Sequence, residues 1–150
     1  MTSWNDLADA EPAFATRVRE RFGIARHCTM ATLRRDGGPR ISGTEVEFGD
    51  GGLFVGSMAN AVKALDLRRD PRVALHSPTV DPSEDNTSWA GEAKIAGRAE
   101  EIGDHAGEDG SHRFRIYVTE VVLTRLGEPA DHLVIESWHP DRGLERRERR

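Results

Sequence analysis

The sequence predicts a mainly β protein, an antiparallel barrel with short flanking helices, and three observations carry that expectation. Alternating apolar and polar residues recur in short runs over most of 27–57 and 72–138. The turn signals "DGG" at 36–38 and "GDGG" at 49–52 separate the first runs at hairpin spacing. Helical periodicity is confined to the N-terminus and to one stretch between strands, "NAVKALDLRR" at 60–69.

Taken in order, Ser3 and Asp6 resemble a capping box, with Asp in place of the usual Glu or Gln. Trp4, Leu7, Phe14, Val18 and Phe22 follow at near-helical spacing, and Pro12 divides them into two helices. Strands are expected over 27–34, 39–48 and 53–57. In the second, Ser42, Thr44, Val46 and Phe48 share one face and Gly43, Glu45 and Glu47 the other. Asn60 is the expected cap of the central helix, and Pro71 ends it. Strands resume at 72–76, 92–102, 113–126 and 132–138. The apolar face of 113–126 changes phase after Val118, which predicts a bulge. The segments 78–91 and 103–112 read as loops, the second a site of mobility.

The chain of 150 residues suits one domain. Its expected layout is helices over 3–22, a barrel over about 27–139 and a frayed basic tail over 141–150. A net charge of −5 argues against nucleic acid, whose binders carry a basic face. Cys28 is the single cysteine, so no internal disulfide forms, and a strand position predicts a core role for it. No segment approaches the ~20 apolar residues of a membrane span, and the N-terminus has no signal-peptide pattern, so the cytoplasm is the expected compartment.

Two positions stand out chemically. If Asn60 caps the helix, Lys63 lies in its first turn, where a cation opposes the macrodipole at about 0.3–1 kcal/mol. A bound phosphate would reverse that penalty, because free N–H groups and the ammonium would grip the same anion, with Ser57 just upstream. The alternative is a solvent-facing lysine. Gly43, inside a strand, marks either a bulge or the close approach of a flat ligand. The six histidines show no metal-binding spacing. No G-x-S-x-G, GxGxxG or Walker pattern is present.

The ordered set "ATLRRDGGPRISGTEVEF", "GGLFVGS", "VKALDLRRDPRVAL" and "AKIAGRAEEI" resembles the pyridoxamine 5'-phosphate oxidase-like FMN-binding split-barrel superfamily over residues 28–102. The resemblance implies a six-stranded antiparallel split barrel that forms a homodimer, with FMN in clefts at the interface. It implies that the strand carrying Arg40, Ser42, Gly43 and Thr44 runs beside the ring and ribityl chain. The segment carrying Ser57, Asn60 and Lys63 would hold the phosphate. Glu92 falls where the oxidase has a glutamine near the ring, and Trp138 would close the cleft from the other subunit. Three departures matter: the oxidase pattern has arginine, lysine and arginine where this chain has Ser42, Glu47 and Val62. Arg40 is then the expected extra cation for the phosphate. The C-terminal signature that grips pyridoxamine phosphate is missing, so the expected activity is an FMN-dependent oxidoreductase of another small molecule. A deazaflavin coenzyme is the alternative cofactor, and a non-catalytic flavin, deazaflavin or haem carrier is the alternative function.

Overall fold

Ser3 opens helix α1 (Trp4–Ala10) with a reciprocal cap: the Asp6 N–H donates to Ser3 Oγ at 3.1 Å, and the Ser3 N–H donates to Asp6 Oδ2 at 2.9 Å. Asp reaches as Glu would, so the box closes. Pro12 starts α2 (Pro12–Phe22) at a position where its missing N–H removes no helical bond. In this computed structural model the described residues are 1–82, 84–103 and 110–150. Most of the loop expected at 103–112, including His105, therefore lies outside them.

Among the described residues nine strands follow: β1 (Cys28–Leu33), β2 (Pro39–Thr44), β3 (Val46–Gly49), β4 (Gly52–Ser57), β5 (Arg72–His76), β6 (Glu92–Glu101), β7 (His112–Leu126), β8 (Leu133–His139) and β9 (Gly143–Arg149), with α3 (Val62–Arg69) between β4 and β5. They form one antiparallel sheet in the order β2-β1-β5-β6-β7-β4-β3, and β8 and β9 extend from the far half of β7. The strand expected at 39–48 breaks at Glu45 into β2 and β3. Those two strands are the ends of the sheet path, so the sheet curls until its ends meet at that one residue.

β7 organises the sheet. Its first residues pair with β4, Ser57 opposite His112, while its last pair with β8. β6 lines its length, with a register shift at Ala96/Gly97 that leaves Thr119 unpaired. The bulge thus lies immediately after Val118, where the phase change placed it. Gly97 is required there, because a Cβ would collide with the Tyr117 carbonyl oxygen.

The basic tail is not frayed. Residues 143–149 pair along β8, where Leu144 lies opposite Trp138 and packs on the core, and Arg146 lies opposite Glu136. An available edge and one apolar contact outweigh the polar composition. The helices cover the core: Leu7, Phe14 and Val18 are at most 1% exposed, and such burial contributes roughly 1.5–3 kcal/mol per side chain. Arg17 of α2 donates to Glu136 of β8 at 2.9 Å, and Arg125 donates to the other oxygen at 2.8 Å. Among the described residues no helix is long and apolar enough to cross a membrane.

Candidate functional site

Where the sheet ends meet, an open cleft of about 900 Å³ lies between the β2–β3 bend, β4, the segment leading into α3 and the start of β7. That volume suits a cofactor-sized ligand. Gly43, Thr44, Ser57 and Lys63 all line it, together with His112 and Arg113.

The approach to α3 differs in one respect from the sequence expectation. Ala61, not Asn60, occupies the cap position, and no side chain caps the helix. Asn60 instead adopts a left-handed φ of 62°, a region that Asn tolerates better than most residues. Lys63 is still in the first turn, and the N–H groups of Val62 and Lys63 have no partner within the helix. The Lys63 ammonium reaches across the cleft and donates to the Gly43 carbonyl at 2.8 Å.

Charge in the cleft is otherwise paired. Glu45 meets His27 at 3.3 Å, and Glu47 meets Arg113 at 3.4 Å. Arg113 also stacks 4.1 Å over the ring of Phe54, which is buried in the cleft wall. Among the described residues, Lys63 has no carboxylate partner. Two hydroxyls are also unmatched: Thr44 Oγ1 and Ser57 Oγ are both buried and have no hydrogen-bond partner among the described residues. Buried orphan polar atoms are uncommon in native proteins, and each costs roughly 1–3 kcal/mol.

His112 sits at the inner end of the cleft, opposite Ser57 in the ladder. The Asn60 N–H donates to its Nε2 at 3.2 Å, so the ring proton lies on Nδ1, which donates to Glu101 at 2.9 Å. Arg68 makes two bonds to the same carboxylate, at 2.7 and 2.8 Å. Chiefly through Arg68, and against the effect of burial, the Glu101 carboxyl is held down at about 2. Sequence spacing gave no signal for this group, because its members come from three separate elements.

Other expected site residues lie elsewhere. Arg40 donates to Asp66 at 2.7 Å, bracing α3 against the sheet, and does not line the cleft. Ser42 faces the same side as Arg40 and is half-buried. Glu92, at the start of β6, meets His76 at 3.3 Å away from this cleft. Trp138 is 6% exposed and packs in the core of its own chain. Cys28 is a core residue, its thiol pushed up to about 11 by burial, with its own backbone and Lys63 pulling weakly the other way. Among the described residues no group of three or more His, Cys, Asp or Glu is placed to hold a metal.

The fold is that of the pyridoxamine 5'-phosphate oxidase-like split barrels. A pyridoxamine 5'-phosphate oxidase-related, FMN-binding protein from Nostoc punctiforme matches 93% of this chain and 96% of its own, with a TM-score of 0.64 and 10% identity. An F420 reductase matches 69% of this chain and 94% of its own, with a TM-score of 0.52 and 14% identity. HutZ, a haem storage protein from Vibrio cholerae, matches 73% and 89%, with a TM-score of 0.52 and 16% identity. No protein-family model and no curated protein sequence matches the chain.

Proposed function

We propose that this chain is a flavin-dependent oxidoreductase acting on a small molecule, with FMN in the Lys63 cleft of a cytoplasmic homodimer. A deazaflavin such as F420 is the second choice of cofactor. One observation carries the reading: an ammonium with no carboxylate partner, two buried hydroxyls without a partner among the described residues, and a helix N-terminus with no side-chain cap line one cleft. Each has donor capacity left over, the ammonium beyond its one bond to the Gly43 carbonyl, and a phosphate supplies several acceptors at once. Solved structures of this fold described as FMN-binding and as an F420 reductase point the same way.

The bound flavin supplies hydride transfer, and the chain supplies grip, orientation and exclusion of water. Lys63, Ser57 and Thr44 would hold the phosphate, the ammonium by its charge and the two hydroxyls as donors. Gly43 leaves the β2 backbone open to a flat ring, since nothing lies within 4 Å of where its Cβ would be. Cys28, held as a thiol, takes no part as a nucleophile.

The test is to add FMN to the purified protein and then a reduced nicotinamide. Fluorescence quenching at micromolar FMN, followed by bleaching of the flavin band, supports the proposal. Binding without bleaching replaces the enzyme by a carrier. No uptake of FMN at micromolar concentration contradicts both.

A further inference from the structure

We infer that His112 is a positioning residue that fixes the phosphate-binding turn, acting through the Asn60 N–H rather than by touching the ligand. The inference rests on reading the cleft as a phosphate site. Its basis is a closed circuit of hydrogen bonds around α3. At the N-terminal end, Asn60 holds a left-handed conformation two residues before the helix starts, and its N–H is tied to His112 Nε2 at 3.2 Å. At the C-terminal end, Arg68 grips Glu101 through two bonds, at 2.7 and 2.8 Å. Glu101 and His112 close the loop at 2.9 Å. One imidazole and one carboxylate therefore tie both ends of the helix to β6 and β7.

The circuit adds to two local restraints on the turn, the bond from the Ala61 N–H to the Met58 carbonyl at 3.1 Å and the packing of Ala61 on the core. Met58 is 83% exposed, and the cap position has no side-chain bond. An anion site made of backbone N–H groups works only if they point to one place before the ligand arrives. His112 is suited to that task. Its side chain is only 5% exposed, and its ring stacks on Phe114 with centroids 6.4 Å apart. Glu101 selects the tautomer that leaves Nε2 free to accept from the turn.

Two substitutions separate the two ring nitrogens. His112→Asn places an amide near Nδ1, keeping the partner of Glu101, but does not reach Asn60. His112→Gln extends an amide oxygen toward the position of Nε2 and restores the acceptor. In the free protein, amide hydrogen exchange at Asn60 should speed up by roughly tenfold in His112→Asn and return toward the wild-type rate in His112→Gln. FMN affinity should fall by roughly tenfold in the Asn variant and recover to within about threefold in the Gln variant. Thermal melts identify any general loss of fold. Equal FMN affinity in His112→Asn and wild type overturns the positioning role, and so does failure of Gln to rescue. If wild type binds no FMN, the proposed cofactor is wrong, and exchange at Asn60 alone decides whether His112 holds the turn.

Discussion

Lys63 and Asp66 lie one turn apart on the same helix, and their surroundings are opposite. Asp66 is 2% exposed and saturated: Thr32 donates at 2.8 Å, Arg40 at 2.7 Å and Arg69 at 2.9 Å. Burial alone would raise its pKa, but those three donors hold it below the ordinary carboxylate value. Among the described residues Lys63, by contrast, has only a backbone carbonyl, and the hydroxyls of Thr44 and Ser57 in the same cleft have no partner. A polar cluster that satisfies itself serves the fold. One that leaves donors unmatched leaves them to water or to a ligand. Arg40 shows why the distinction is needed: by residue type it was a phosphate ligand, and by geometry it belongs to the self-satisfied cluster.

The contrast predicts opposite signatures for mutations on the two sides. Asp66→Ala strands the buried Thr32 hydroxyl and half-buried Arg40, and should destabilise the protein by about 3 kcal/mol in urea denaturation. A loss under 1 kcal/mol would mean that the cluster does not brace α3. At Gly43 an added Cβ meets no atom within 4 Å, so the melting temperature of Gly43→Ala should hold while FMN affinity drops roughly tenfold. Thr44→Val removes an orphan hydroxyl at nearly constant shape. It should stabilise the free protein by about 1 kcal/mol and weaken FMN binding, the trade expected where stability is given up for function. A destabilised Thr44→Val would show that the hydroxyl has a structural partner.

Stability should also depend on pH. The Glu101 pKa is lowered from 4.5 to about 2, so its contribution to stability is complete above about pH 4.5 and is lost as pH falls toward 2. The stability difference between wild type and Glu101→Gln should therefore shrink over that window. A difference that stays constant with pH would remove the charged bond to Arg68 from the account.

Much of this was legible in the sequence because it is local. The Ser3 cap, the bulge after Val118 and the place of Lys63 in the first turn all follow from neighbours within a few residues. What escaped depends on distant partners. β9 is arginine-rich and reads as a solvated tail until β8 offers it an edge and Trp138 offers Leu144 a contact. Nothing near Arg40 names Asp66, and nothing near His112 names Asn60, 52 residues away in the chain. Asn60 was read as a cap from its residue type, whereas its left-handed backbone serves to present an N–H to His112.

The central claim is that the Lys63 end of the cleft recognises a phosphate, and paired titrations with FMN and riboflavin test it most directly, since the two differ only by that group. Wild type should prefer FMN by an amount on the order of 1.5–3 kcal/mol, and Lys63→Ala should lose most of that preference while binding riboflavin as before. Equal affinity of wild type for the two flavins, or a preference for FMN that survives Lys63→Ala, would contradict it.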